Sequence, residues 1–201
     1  MARLRRAESQ IVTSERLLKS ALEIFIRDGY ARASIDAIAE DAGYSKGAIY
    51  SNFAGKEGLF LAILRQKFET EIAEMKALAN SQGSTEDILT AMRKSNIGRT
   101  DVLDFKLVAT EFQTQVSRGS PFAQTYVELF ASQRLALTEL ITSIFARSGK
   151  QLPTPAEEVA ASCIALTIGI AVQRGADPET VDGRTWGRAI DLYIRSLLGV
   201  R

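Results

Sequence analysis

Histidine is absent from this chain of 201 residues, and cysteine occurs only once, as Cys163. Without an imidazole there is no histidine metal ligand, no histidine general base and no Ser-His-Asp or Cys-His nucleophile pair. A single cysteine excludes an internal disulfide, and within an apolar segment we expect an inert buried thiol. The sequence also has no glycine-rich phosphate loop and no paired carboxylates on an apolar face. We therefore expect a protein that is not an enzyme and that uses neither a metal nor a cofactor.

Proline and long apolar runs are also scarce. The four prolines, at positions 121, 153, 155 and 178, stand where a helix could begin or a loop could run. No apolar stretch follows the basic N-terminal segment, so we expect no signal peptide. The most apolar run, Val159 to Val172, contains Ser162 and Thr167 and is predicted to be a buried helix too short to cross a bilayer. These features favour a soluble, cytoplasmic protein. Its net charge of only +1 requires that any basic surface be local.

Helical periodicity runs through the whole chain, and no segment alternates apolar and polar residues as a strand would. We predict an all-α fold of about nine helices. Helix one should begin near Thr13 or Ser14 and end at Gly29, while Ser34 and Ser45 should cap a short second and a short third helix. Because the third helix has barely two turns, it must be stabilised by packing on the first two.

The short third helix has the composition of a DNA recognition helix. Gly47 and Ala48 are small enough for its first turn to sit deep in a major groove, and Lys46 can reach a phosphate or a guanine edge. Each such residue alone is more often ordinary surface, so the argument depends on their sharing one helix. A basic arm ahead of helix one, able to follow a minor groove, contains Arg3, Arg5 and Arg6. The predicted DNA contacts are Ser34, Ser45, Lys46, Gly47, Ala48, Tyr50, Asn52 and Lys56.

A long fourth helix, from about Lys56 to Leu78, should join this three-helix head to a larger helical body. We expect a basic N-terminal arm over residues 1–12 and a DNA-binding domain over 13–55, with its helix-turn-helix at about 34–53. The remaining residues, 56–201, should form a domain for ligand binding and dimerisation.

The penultimate helix, Thr154 to Arg174, is apolar on most of its circumference, so we expect it to be covered on both sides. Small residues four apart would let another helix approach closely, and the same helix of a second copy is the simplest partner. A helix that is merely central in a monomer would show the same pattern. The predicted dimer interface consists of Ala161, Ala165 and Gly169, with Trp186, Ile190, Tyr193 and Leu197 of the last helix.

Aromatic and methionine side chains of the body are candidates to line a ligand pocket, although such stripes more often fill a core. Arg134 shares a helix face with apolar residues, so it could bind an anionic ligand, pair with Glu111 or Asp104, or extend its head into water. The candidate pocket residues are Phe68, Met92, Phe105, Phe112, Tyr126, Phe130 and Arg134.

Four segments resemble the tetracycline repressor (TetR) family of regulators. Leu17 to Tyr30 is similar to that family's first helix, Ser34 to Ala42 and Gly43 to Phe53 to its helix-turn-helix, and Lys56 to Phe60 to the start of its fourth helix. The resemblance is close over about residues 11 to 70, with Gly58 as a mild departure where the family more often has a better helix former. It implies an obligate homodimer that binds a palindromic DNA operator and is released by a small molecule.

Function is predicted accordingly. We expect a ligand-responsive transcriptional regulator, a repressor, that binds double-stranded DNA as a homodimer and is released by a small, largely apolar effector. A ligand among the body helices would tilt helix four and change the separation of the two recognition helices. The alternative is a dimeric helical module that binds ligands or proteins without reading DNA.

Overall fold

The computed structural model describes residues 2–115 and 120–200, with side chains from residue 10 onward. Within these ranges the chain is all-α, which confirms the predicted fold class, and it contains no strand. The described residues form nine helices: α1 (Ala2–Asp28), α2 (Ile35–Ala42), α3 (Lys46–Asn52), α4 (Gly55–Ala79), α5 (Thr85–Asn96), α6 (Thr100–Gln115), α7 (Ala123–Ser148), α8 (Ala156–Ala176) and α9 (Gly183–Leu198).

The first helix is longer than the sequence analysis predicted. It begins at Ala2, so the expected start near Thr13 or Ser14 is wrong. Residues 2–12 are mostly Ala, Arg, Leu, Glu and Gln, with neither proline nor glycine, and these residue types favour continuation of a helix. Ser14 does not cap a helix end, because its hydroxyl donates a hydrogen bond to the side chain of Asn52.

The chain divides into two compact units. The first comprises Met1–Lys67 and Glu111–Tyr126, and the second comprises Phe68–Thr110 and Val127–Arg201. Helices α4, α6 and α7 therefore each contain residues of both units. The first unit is larger than the predicted domain over 13–55, because it also contains the start of α4, the end of α6 and the start of α7.

Aromatic rings form the centre of the first unit. Phe60 of α4 meets Phe25 of α1 edge-on, with ring centroids 5.3 Å apart, and stacks on Phe112 of α6 at 4.5 Å. Tyr30 contacts Phe112 edge-on at 5.0 Å, and Tyr126 lies 5.7 Å from Phe112. Aromatic pairs of this geometry stabilise a core beyond the area they bury. The cluster holds the three-helix head against the end of α6.

The second unit is built around α5, α8 and α9. Arg195 of α9 donates to the Glu86 carboxylate of α5 through two nitrogens, at 2.8 and 2.6 Å, and also to Asp191 at 3.0 Å. Arg174 of α8 pairs with Asp104 of α6 at 2.9 Å. The apolar core beneath these contacts includes Leu89, Leu103, Ile141, Val159, Ala160, Cys163 and Ile194. As predicted, Cys163 is buried, and burial raises the pKa of its thiol to about 12.

The apolar helix α8 is longer than the run that suggested it. Among the described residues it is the one helix that is long and apolar enough to cross a membrane by length and composition, so the prediction that this segment is too short is wrong. The core helix of a soluble protein meets the same criterion. Only 28% of its apolar window is buried within the protomer, which leaves much of the helix surface uncovered.

Candidate nucleic-acid interface

Serine caps fix the start of both helices of the helix-turn-helix. The Ser34 hydroxyl oxygen accepts a hydrogen bond from the N–H of Ala37 at 3.1 Å, and that of Ser45 accepts from Ala48 at 3.3 Å. Both predicted caps are therefore confirmed. Between the helices, Gly43 adopts a φ of +73°, a left-handed conformation that L side chains rarely tolerate. Both serines are exposed, and a capping hydroxyl still has a proton to donate to a phosphate.

The third helix has one buried side and one exposed side. Ile49 is fully buried and anchors α3 on the head, whereas the next residue, Tyr50, is 63% exposed. Lys46 and Gly47 are also exposed, and Ala48 is half-buried. The structure thus presents Ser45, Lys46, Gly47 and Tyr50 to solvent at the start and on the outer side of α3. A recognition helix uses its N-terminal residues in this way against base edges.

An acidic side chain that the sequence analysis did not select lies beside this surface. The carboxylate of Asp36, in the first turn of α2, forms an ion pair with the ammonium of Lys46 at the start of α3. Both side chains are 61% exposed, so water screens the pair and it adds little to stability. An aspartate in a first turn is ordinarily explained by the helix dipole, so its sequence position gives no sign of this pairing.

The side chain of Asn52 is hydrogen-bonded inside the protein. Its side-chain oxygen accepts a hydrogen bond from the Ser14 hydroxyl at 3.0 Å, and its amide nitrogen donates to the Ala48 carbonyl at 2.7 Å. The residue is half-buried between α1 and α3. Asn52 therefore holds the recognition helix on the head, and its predicted contact with DNA stays a prediction.

Lys56 lies beside the turn between α1 and α2. Its ammonium donates to the Ala31 carbonyl at 3.1 Å and stands 4.5 Å from the centroid of the Tyr30 ring. Partial burial lowers the pKa of this lysine and raises that of the Tyr30 hydroxyl to about 12. An ammonium has three donors, so the Ala31 bond leaves capacity for the predicted phosphate contact. The side chains of Arg3, Arg5 and Arg6 in the predicted basic arm lie outside the described residues.

The predicted dimer interface separates into an exposed part and a buried part. Ala161 and Ala165 are exposed along α8, and no atom lies within 4 Å of the position that a side chain at Gly169 would take. Trp186 and Ile190, in contrast, are only 8% and 6% exposed within the protomer. These two residues thus pack within their own protomer, and their place in an interface stays a prediction.

The apolar stripe of α9 packs on its own protomer. The Trp186 indole N–H donates to the Thr167 hydroxyl of α8 at 3.0 Å, and Ile190 belongs to the core. The outer side of α9 carries Leu192 instead, which is 70% exposed. Tyr193 and Leu197 are half-buried, so their place in an interface stays a prediction.

The predicted pocket residues are divided between the two units. Phe112 and Tyr126 belong to the aromatic cluster of the first unit, whereas the Phe68 and Phe130 rings meet edge-on at 5.2 Å in the second. Phe105 is buried, Met92 packs on the core formed with α5 and α9, and Arg134 is exposed. A ligand pocket lined by these residues stays a prediction. For Arg134 the structure agrees with a head extended into water, since Asp104 pairs with Arg174 and Glu111 accepts from Tyr30.

A polar cluster that the sequence analysis did not identify lies beside the Phe68 and Phe130 rings. The Lys106 ammonium pairs with the Glu71 carboxylate at 2.8 Å, with side chains only 12% and 15% exposed, and stands 4.7 Å from the Phe68 ring centroid. The buried amide of Gln133 donates to the same carboxylate. These three residues are far apart in sequence, so periodicity alone could not associate them.

The fold and the exposed helix α3 define a helix-turn-helix protein of the all-α class. Residues 17–63 match the family described as "Bacterial regulatory proteins, tetR family". Over 67 residues the chain is 39% identical to the HTH-type transcriptional regulator SrpR of Pseudomonas putida, which covers 33% of this chain and 31% of that protein. The chain thus matches about a third of the length of this relative.

Similarity to solved structures extends over most of the chain. FadR of Bacillus subtilis in complex with stearoyl-CoA gives a TM-score of 0.72 at 13% identity, covering 93% of this chain and 99% of that one. The complex of SmeT with triclosan gives 0.66 at 22% identity, covering 92% and 91%; SmeT represses a multidrug efflux pump of Stenotrophomonas maltophilia. At these identities the structures establish the fold. Together with the family match over residues 17–63, they confirm the resemblance to the TetR family of transcriptional regulators.

Proposed function

We propose that this protein is a cytoplasmic, homodimeric transcriptional repressor that binds a palindromic operator and is released by a small, largely apolar effector. The observation that carries the proposal is the outer side of α3. Ser45, Lys46, Gly47 and Tyr50 are exposed there, while Ile49 on the opposite side is fully buried. A helix anchored on one side and small or polar on the other has the form that entry into a major groove requires.

Dimerisation is supported by the uncovered apolar surface of α8. Leu166 and Val172 are 36% and 48% exposed there, alongside the small residues Ala161 and Ala165. Such a surface is costly in water, and a two-fold axis would let the same helix of a second protomer cover it. A dimer would also carry two recognition helices, which must stand about 34–36 Å apart to enter successive major grooves on one face of DNA.

The effector site is proposed in the second unit, around the Phe68 and Phe130 rings. The rings supply apolar contact, and the neighbouring Lys106, Glu71 and Gln133 supply charge and hydrogen bonds. Ligand sites commonly combine an apolar lining with a few placed polar groups. Two proteins of the same fold were solved with stearoyl-CoA and triclosan, compounds with large apolar parts, and this supports a largely apolar effector here.

Release from DNA is proposed to be a shift between two conformations. An effector can move that equilibrium only by binding the released conformation more tightly, and a tenfold loss of operator affinity needs a difference of about 1.4 kcal/mol. Helix α4 was expected to join the head to the body. Because α6 and α7 also contain residues of both units, the proposal now includes three helices as carriers of the change.

The test is a binding titration against DNA from the promoter region beside the protein's own gene, at two salt concentrations. Tight binding that weakens steeply with salt is expected, because phosphate contacts release counterions. Tyr50→Ala and Lys46→Ala should each weaken binding, whereas Glu23→Gln, on the exposed side of α1, should not. If that DNA does not bind and a random-sequence selection recovers no site either, the protein is instead a dimeric module that binds ligands or proteins.

A further inference from the structure

We infer that Asp36 and Lys46 together read one G·C base pair in each half-site, with Asp36 as a specificity-determining residue. The inference rests on the proposed DNA-binding function. It starts from the exposed ion pair between the Asp36 carboxylate of α2 and the Lys46 ammonium of α3. This pair joins the two helices of the helix-turn-helix at the N-terminal end of the recognition helix, where base contacts are made.

An exposed carboxylate on this surface calls for an explanation. Double-stranded DNA carries a negative charge about every 1.7 Å along its axis, so Asp36 opposes association with any DNA sequence. The ion pair does not compensate by stabilising the fold, because both side chains are 61% exposed. A carboxylate in this place therefore favours DNA binding only if the right sequence supplies it with a hydrogen-bond donor.

A G·C pair supplies that donor next to the acceptors that a lysine needs. In the major groove guanine presents O6 and N7 as acceptors, and the cytosine N4 amino group donates. An ammonium only donates and a carboxylate only accepts, so Lys46 matches the guanine edge and Asp36 matches the cytosine edge. An A·T pair places these groups differently: its one donor, the adenine amino group, lies between the N7 and O4 acceptors. The thymine O4, a second acceptor that repels a carboxylate, then stands where cytosine presents its amino group.

The surroundings leave the pair access to the groove. Gly47 follows Lys46 and has no side chain, and the position of a side chain there has only the Ser45 hydroxyl within 4 Å, at 3.5 Å. Tyr50 is exposed one turn further along α3. The two charged groups can therefore exchange part of their contact with each other for contacts with the two bases.

Selection from random DNA followed by titration tests the inference. The full-length protein should recover half-sites with one fixed G·C pair, and replacing that pair by A·T should weaken binding about tenfold to a hundredfold. Asp36→Ala should lose most of this discrimination. The Asp36→Ala protein should also bind arbitrary DNA more tightly, because one opposing charge is removed. The slope of the logarithm of its binding constant against the logarithm of salt concentration should be steeper by up to about 0.9 per protomer.

Two further variants and a control complete the test. Asp36→Asn, which keeps the size of the side chain, should also lose the cytosine contact. Lys46→Ala should lose the same discrimination between G·C and A·T as Asp36→Ala. The double variant should therefore discriminate no less than either single variant. Glu23→Gln deletes the same charge from an exposed ion pair with Lys19 on α1 and should leave the selected site unchanged. Thermal unfolding checks that each variant is folded.

Two results would overturn the inference, and they differ in meaning. If the unmodified protein recovers no DNA site, the proposed function fails and the inference fails with it. If the protein recovers a site but folded Asp36→Ala and Asp36→Asn proteins select the same site with the same discrimination, DNA binding stands and Asp36 does not read the base pair.

Discussion

The carboxylate of Glu111 accepts a hydrogen bond from the backbone N–H of Tyr30 at 2.8 Å. Glu111 lies near the end of α6, whereas Tyr30 directly follows α1, where Gly29 adopts a φ of +79°. The side chain of Tyr30 packs on Phe112, the residue next to Glu111, so the same turn is held by a charge-assisted hydrogen bond and by an aromatic contact. Residues far apart in sequence thereby connect the end of α6 to the head.

Replacement of Glu111 tests how much this hydrogen bond contributes. Glu111→Ala leaves the N–H of Tyr30 without its acceptor and should lower the free energy of unfolding by about 1–3 kcal/mol. Glu111→Gln keeps an acceptor and should cost less. Denaturant unfolding measures both, with Gln113→Ala, an exposed residue of the same helix, as the control. If Glu111→Ala and Glu111→Gln lower the free energy of unfolding equally, the charge of Glu111 matters rather than the hydrogen bond to Tyr30.

Substitution of two left-handed glycines distinguishes the cost of backbone strain from the cost of a steric clash. Gly43→Ala should cost about 1–2 kcal/mol from the left-handed conformation alone, because no atom lies within 4 Å of the new methyl group. Gly29→Ala should cost more, since its methyl group would stand 2.9 Å from a carboxylate oxygen of Glu111. In a double-mutant cycle, combination with Glu111→Ala should therefore show coupling for Gly29 and none for Gly43. Additive losses at both positions would show that Glu111 moves aside without cost.

Asn52 is expected to act on DNA binding through the position of α3. Asn52→Ala loses hydrogen bonds to Ser14 and Ala48, and it should lower both the stability of the protein, by about 1–2 kcal/mol, and its operator affinity. The salt dependence of binding should stay unchanged, since no phosphate contact is removed. Glu69→Ala, at an exposed residue of α4, is the control. A smaller salt dependence in a protein of unchanged stability would indicate a direct phosphate contact instead.

Sequence reasoning succeeded where structure is decided locally. The caps Ser34 and Ser45 and the turn at Gly43 follow from the preferences of single residues, so both short helices were placed within a residue or so. It failed at the start of α1, where two local signals conflict. The start of α1 was misplaced because Thr13 and Ser14 resemble caps, although the helix-forming residues before them continue the helix.

Side-chain pairing across helices was the other limit. Asn52 and Ser14 are 38 residues apart, and nothing in the periodicity of α3 shows that the amide turns toward α1. Likewise, the apolar stripe of α9 was correctly identified. The pattern does not show whether the stripe packs on its own protomer or on a second copy of the chain. Trp186 and Ile190 pack inside their own protomer, and only the structure reveals that Leu192 is on the outer side.

The proposed dimer can be tested with one charge on α8. Ala165 is exposed on the uncovered side of that helix, and a two-fold axis would place Ala165→Glu in the interface of both protomers. Burial of unpaired charge is costly, so the dimer dissociation constant should rise by at least about a hundredfold.

Val127→Glu is the matched control, because Val127 is 58% exposed on α7 and lies outside the proposed interface. Sedimentation equilibrium would show monomers for the α8 variant and dimers for the control. Operator binding should fall with dimerisation, since a single recognition helix contacts one half-site. If the Ala165→Glu protein stays dimeric, the interface does not include this side of α8. If the Val127→Glu protein is monomeric, the interface includes α7.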